Sequence, residues 1–240
     1  MVCLQIIRFP KKYIPFAFIS MAIHRLPLSL NAGISFWKLM GSGKGGTFSK
    51  DPDWQQWSIL TVWKNEKSLK NYLSSGFVFQ FNKIFAQETL VFILDPIAGH
   101  GLWDGKNPFT TKNEVDKNQE SKTKIAILTR ASIRWKKAKS FWDAVPDVEK
   151  LMNTSKGYLF SIGVGEVPYL RQATISIWES LEDAKTFAYK SKEHREVIER
   201  TRKEDWYSEE LFMRFNILHQ SGTINGKQAL NNFNNSIEIL

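Results

Sequence analysis

The chain carries one succession of elements twice: strand, helix, two strands, helix, strand. The first set is VCLQIIR (Val2–Arg8), a helix-length IPFAFISMAIHRL, ISFWKLM, WSILTVW, a helix capped by Asn65 and running through Leu73, and TLVFIL, which is expected to end at Pro96. The second set is KIAILTRASI, WKKAKSFWDAVPDVEKLM, GYLFSIGVG, QATISIW, one or two helices in SLEDAKTFAYKSKEHREVIERT, and ELFMRFNIL. Residues coincide as well as elements. An offset of 124 lays Gly33 on Gly157, Phe36 on Phe160 and Gly41 on Gly165, and an offset of 115 lays Trp63 on Trp178. An offset of 121 lays GLWDGK, from Gly101, on GTINGK, from Gly222. The fall from 124 to 115 puts nine extra residues in the first-half loop after Gly41.

This order is that of a split βαβ, or ferredoxin-like, unit. One such unit leaves a sheet face uncovered, and two that stack their sheets bury both. The expected fold is therefore α+β, with duplicated ferredoxin-like units forming a dimeric α+β barrel within a single chain. Residues 1–109 form the first repeat, 123–226 the second and 227–240 a C-terminal tail. Between the repeats, residues 110–122 read as a flexible linker, because TTKNEVDKNQESKT has one apolar residue among fourteen.

Composition narrows the function only slightly. A formal net charge of +9 favours anionic partners, but no glycine-bracketed aromatic motif, helix-turn-helix signal or basic tail points to nucleic acid. A single cysteine, Cys3, excludes an intramolecular disulfide and fits a reducing cytoplasm. The apolar run Tyr13–Ile23 is about half a bilayer span, and it reads as an amphipathic helix compatible with peripheral contact at the inner face of the cytoplasmic membrane. Nine Trp and seventeen Phe suit either a crowded aromatic core or the enclosure of a large apolar ligand.

His194 is the first candidate for chemistry. On a helix continued from Phe187, His194, Val197 and Ile198 share a face at spacings of seven, ten and eleven; Ser191 could instead cap a new helix. An imidazole on such a face beneath a sheet suits axial ligation of haem iron. Spacing alone favours a solvated surface histidine, since four of the six residues in SKEHRE are charged. The offset of 115 pairs His194 with Phe79, so one half has a candidate ligand and the other an aromatic. His24 reads as a packed or surface side chain and His219 lacks an apolar frame. His100 sits in a structural turn, where Gly99, Gly101 and Gly105 suggest positive φ. Arg130, Arg134 and Arg171 flank second-half strands and could meet an anionic ligand group or donate to bound oxygen. GSGKGG is not a phosphate loop: glycine is required at Lys38 and Ser or Thr at Gly45. No hydrolase motif occurs.

The runs HRLPLSLNAGISFWKLMGSGKGGTF, LTRASIRWKKAKSFW, VGEVPYLRQATISIWES and EHREVIERTRKEDWYSEELFMRF resemble the spheroidene monooxygenase family, and the resemblance extends to about Phe215. It implies a haem-containing oxidoreductase that uses molecular oxygen and electrons from reduced ferredoxin or a similar donor. Such an enzyme hydroxylates an acyclic carotenoid at C2, and a second hydroxylation leads to a ketone. By analogy with haem-binding relatives on a related barrel, His194 would be the proximal ligand on the helix after the third strand. Phe160, Trp178 and Phe187 would be pocket walls, Arg171 or Arg130 distal or propionate contacts, and Arg134 a further propionate contact. The alternative is a haem-binding barrel that degrades, modifies or carries haem.

Overall fold

The computed structural model describes residues 1–44, 49–111, 123–190 and 192–238, with the side chains of residues 190–195 and 198 outside the description. The expected linker at 110–122 lies almost wholly outside the described residues, as do Ser191 and the end of the GSGKGG loop.

Eight strands form: β1 (Val2–Arg8), β2 (Ile34–Gly43), β3 (Pro52–Trp63), β4 (Glu88–Gly101), β5 (Ile125–Ile133), β6 (Tyr158–Val167), β7 (Arg171–Trp178) and β8 (Tyr207–Gly222). The helices are α1 (Ile14–Ile23), α2 (Arg25–Leu30), α3 (Glu66–Ser75), α4 (Phe77–Phe85), α5 (Ala138–Asn153), α6 (Leu181–Lys190) and α7 (Lys192–Lys203). The hydrogen-bonded strand order is β1-β3-β2-β6-β7-β5-β8-β4, a closed barrel. Each half keeps the ferredoxin-like order, with its first strand between its third and fourth.

The registers obey the offsets read from the sequence. Val2 pairs with Val62 and Leu94 in the first repeat, and Ala126 pairs with Ile177 and Phe215 in the second. The two tryptophans at the ends of the third strands are equivalent in detail. Trp63 Nε1 donates to Thr61 Oγ1 at 2.9 Å and Trp178 Nε1 to Ser176 Oγ at 3.0 Å. Asn65 caps α3 as expected, its Oδ1 accepting from the Ser68 N–H at 2.9 Å.

Two expectations about boundaries differ from the structure. Compactness groups Met1–Gly41, Asp53–Asp95 and Ile217–Leu240 in one unit, and Ser42–Pro52 with Pro96–Asn216 in the other. The units therefore divide inside β2, β3, β4 and β8, and not at residues 110–122. Nor does β4 stop at Pro96; it continues to Gly101, because proline removes only one donor and a strand survives where that donor is not needed. The C-terminal tail is tied to β8. Gln220, buried on β8, accepts from Leu230 N–H at 2.6 Å and donates to the Leu230 carbonyl at 3.3 Å, and its own N–H donates to Asn235 Oδ1 at 2.8 Å.

In the first unit, His24 is buried at the α1–α2 junction with its ring edge-on to Phe81 at 4.9 Å and to Phe77 at 6.4 Å. Neither ring nitrogen has a hydrogen-bond partner. Burial without a partner disfavours the imidazolium and lowers the pKa to about 4. The unfolded chain takes up this proton near pH 6.5. The contribution of His24 is thus fully present above that pH and declines as pH falls towards 4. His24→Phe should flatten the fall in urea midpoint between pH 6.5 and 4 that wild type shows.

Candidate functional site

The helix-covered sheet face differs sharply between the two repeats. In the first, Cys3 and Ile7 of β1 with Phe9 just after it, Trp57, Ile59 and Trp63 of β3, and Val91 and Ile93 of β4 share one apolar cluster with α3 and α4, and Trp37 and Leu39 of β2 pack against it. Gln5, in the middle of β1, is also buried. The face is continuous core from one end of the central strand to the other.

In the second repeat six of the corresponding positions carry smaller or polar residues. Trp37 is replaced by Ser161, Leu39 by Gly163, Trp57 by Gln172, Ile59 by Thr174, Ile7 by Ala131 and Ile93 by Arg214. The described apolar residues here fall into two clusters. Ile125, Ile127, Met152, Trp178 and Leu181 form one; Ala131, Ile133, Phe141, Trp142 and Trp206 form the other. Between them Thr129, the counterpart of Gln5, is solvent-exposed although β7 and β8 flank its strand on both sides. Exposure at the centre of a sheet, where the sister repeat is packed, marks a recess. Thr129 and Thr174 form its floor, with Ser161 and Gly163 on β6 in register beside Ser176 and Thr174, and Phe212 and Arg214 on β8 beside Thr129 and Ile127.

One end of the recess is aromatic. Trp178 and Phe187 lie against each other, tilted by 30° with centroids 5.2 Å apart, and Tyr158 meets Trp178 at 5.7 Å. The first repeat has Trp63 and Tyr72 in the corresponding places, 4.9 Å apart, with Phe79 buried and touching Tyr72 at 5.8 Å. His194 lies on α7, and its side chain is outside the described residues. His100 stacks on Phe212 at 5.8 Å. Gly101 and Gly105 adopt positive φ as expected, whereas Gly99 does not. A Cβ at Gly99 would instead lie 2.3 Å from the Phe212 carbonyl oxygen, so close strand approach requires that glycine. His219 contacts the Ile237 carbonyl through Nδ1 at 3.2 Å. Among the described residues no group of three or more His, Cys, Asp and Glu is placed to hold a metal ion.

The sheet separates the remaining residues singled out by sequence. A register shift between Tyr158 and Phe160 puts Tyr158 opposite Trp178 but Phe160 opposite Ile177. Phe160 therefore faces away from Trp178 and Phe187. Arg130, opposite Ala173 and Leu211, lies on that same far face and is buried at 1% exposure. It makes a short ion pair with Glu209, and its Nη2 lies 3.7 Å from Glu166 and 3.8 Å from Asp104. Trp103 Nε1 also donates to Glu166, at 2.7 Å. Burial works against the Glu209 carboxylate, but the N–H groups of Gly105 and Asp104, together with Arg130, outweigh it and hold its pKa below the usual range. The first repeat makes the same clamp without the arginine: Glu88 accepts from Gly226 N–H at 2.8 Å, and Ile6 stands where Arg130 would be. The shared clamp fixes a turn, so Arg130 braces that turn from the far face. Arg171 is half-exposed, 3.5 Å from Asp104. Arg134 pairs with Asp205 at 3.1 Å beyond the end of α7.

Arg214 is the residue that motif reading missed. The offset of 121, which aligned the two turns, also aligns it with Ile93 and was the available signal.

An eight-stranded barrel of two ferredoxin-like repeats, one solid and one recessed, is the class of protein these features define. Two solved structures of aldoxime dehydratases share the fold. One, in complex with butyraldoxime, has a TM-score of 0.53 at 12% identity, covering 90% of this chain and 78% of that one. The other has a TM-score of 0.51 at 13% identity, covering 90% and 80%. No protein-family model matches the chain. Among curated proteins it is 33% identical to the spheroidene monooxygenase of Rhodobacter capsulatus over 90% of this chain and 89% of that protein. It is also 37% identical to the spheroidene monooxygenase of Cereibacter sphaeroides over 88% of this chain, spanning 62% of that protein's length. The chain belongs to the spheroidene monooxygenase family.

The recess makes a paired stability prediction. Ile59→Thr, in the solid repeat, should cost about 2 kcal/mol through lost packing and a buried hydroxyl. The reverse change at the equivalent position, Thr174→Ile, should fall within about 0.5 kcal/mol of wild type because open space receives the added carbons. Urea midpoints of both variants test this; a cost above about 1 kcal/mol for Thr174→Ile would mean overpacking and no recess.

Proposed function

We propose that the chain is an oxygen-dependent monooxygenase that hydroxylates an acyclic carotenoid such as spheroidene at C2, with a haem held in the recess of the second repeat. The observation that carries this reading is kinship with proteins named spheroidene monooxygenase over most of the chain. The recess supports the cofactor. Haem needs an apolar slot, an axial ligand and cations for its propionates. Trp178 and Phe187 offer an aromatic wall, and Arg214 brings a cation to the floor where the first repeat has Ile93. His194 is the axial ligand in this reading, supported by the buried position of its counterpart Phe79 beside Tyr72. Arg130, Arg171 and Phe160, on the sheet's other face by register, are left out of the cofactor set.

Haem, when bound, supplies the activation of molecular oxygen. The chain's own residues hold the group, keep water from the aromatic end and orient a long polyene. Each hydroxylation inserts one oxygen atom of O2 into a C–H bond at C2. The other oxygen atom becomes water, using two electrons from reduced ferredoxin or a similar donor and two protons. A second hydroxylation at the same carbon gives a geminal diol, and loss of water leaves a ketone.

Wild type expressed with a haem precursor should show a Soret band and convert spheroidene when given O2 and reduced ferredoxin. His194→Ala should lose or shift the band and lose at least about a hundredfold in turnover. A wild type that remains colourless and takes up no added haem would contradict the cofactor reading. A haem-bound wild type that destroys its own porphyrin under reductant and oxygen, leaving carotenoid untouched, would contradict the substrate.

A further inference from the structure

The segment Lys11–Leu30 in the first unit is long and apolar enough to cross a membrane, yet it packs along the protein. Its inward stripe is Ala17, Ser20, His24 and Leu28, all buried. Its outward stripe is Phe18, Ile19, Ile23, Leu26 and Leu30, each between 44% and 74% exposed. The polarity is inverted: Ser and His point inward while large apolar side chains point outward, the opposite of what water selects for a surface helix. The patch extends sideways. Trp54, half-exposed, meets Phe18 at 5.3 Å, and α4, packed beside α1 through Phe16 and Phe81 at 5.0 Å, exposes Phe77 and Ile84. Exposed cations border it at Lys11, Lys12, Arg25 and Lys83.

We propose that α1 and α2 form an in-plane membrane anchor, the outward stripe entering the boundary between headgroups and acyl chains while Lys11, Lys12 and Arg25 engage anionic lipid phosphates. A lipid surface answers every feature of the patch. Convex apolar residues need an apolar phase, the basic rim needs anions, and Trp54 at the margin has an amphipathic ring suited to the interface. A second copy of this chain is a poorer occupant, because two-fold pairing through the stripe would bring basic rims against each other. A membrane-spanning pose is excluded by the burial of Ala17, Ser20, His24 and Leu28 against the fold. The anchor requires neither haem nor carotenoid, so it stands or falls apart from the proposed reaction.

Flotation of the full chain with pigment-free vesicles tests it. Wild type should float with phosphatidylcholine–phosphatidylglycerol vesicles and much less with phosphatidylcholine alone. Ile19→Asn combined with Ile23→Asn and Leu26→Gln should reduce the bound fraction at least about tenfold. Lys11→Ala with Lys12→Ala and Arg25→Ala should remove the preference for anionic lipid. Cys3 is buried, with its thiol pushed up to about 12, so an environment-sensitive dye on Leu30→Cys labels that site alone. Its emission should brighten on anionic vesicles with Phe18, Ile19, Ile23 and Leu26 left in place. Failure of wild type to float, equal flotation of the stripe variant, equal binding to neutral vesicles, or an unresponsive dye would each overturn the proposal. So would a solution dimer that the stripe changes disperse while wild type ignores vesicles.

Discussion

A ferredoxin-like sheet must have one face covered by its own helices, and its central strand is the place where cover matters most. Each residue pointing to that face from the first strand has neighbours on both sides, so it is normally the most deeply buried part of the layer. Cys3, Gln5, Ile7 and Phe9 meet this requirement in the first repeat. Thr129 breaks it in the second, exposed between Ile127 and Ala131, which are buried in two separate apolar clusters. Duplication makes the difference interpretable, because the first repeat shows what the face looks like when it is simply core. Loss of bulk at Ser161, Gly163, Thr174 and Ala131 would be destabilising without compensation, and in the proposed reading a bound ligand would supply that compensation by linkage.

The opposite face of the second sheet has a structural task. Arg130 is surrounded by Glu209, Glu166 and Asp104, with its guanidinium 5.7 Å from the Trp103 ring. A buried cation is tolerated only when carboxylates compensate it, and here they also hold the turn after β4. The equivalent turn after β8 is held by Glu88, with Ile6 in the place of the arginine. The arginine therefore reinforces a contact that both repeats share, on the side of the sheet away from the recess.

Much of the fold was legible because alternation and repeat offsets are local or nearly so. The strands, the Asn65 cap and the equivalence of Trp63 with Trp178 all followed from spacing. Strand ends were not legible: β4 continues past Pro96 because tertiary pairing, not propensity, decides where a strand stops. Phe160, in unbroken register with Ser161 and Gly163, faces away from Trp178 by simple alternation, and the register shift before it brings Tyr158 to Trp178 in its place. Arg214 was present in the alignment of the repeats, but its meaning appeared only when the neighbouring losses of bulk were seen to share one face. The apolar N-terminal run was plain from composition; its inverted polarity needed the packing of Ser20 and His24 to fix which side faces out.

One repeat is solid, and in the proposed reading the other holds a single large cofactor. Titration of haem into cofactor-free protein, followed at the Soret band, tests that reading most directly: saturation at one equivalent per chain is expected. Saturation at two equivalents would mean that the first repeat also binds, and the absence of a saturable signal would mean that the recess in the second repeat is not a haem site.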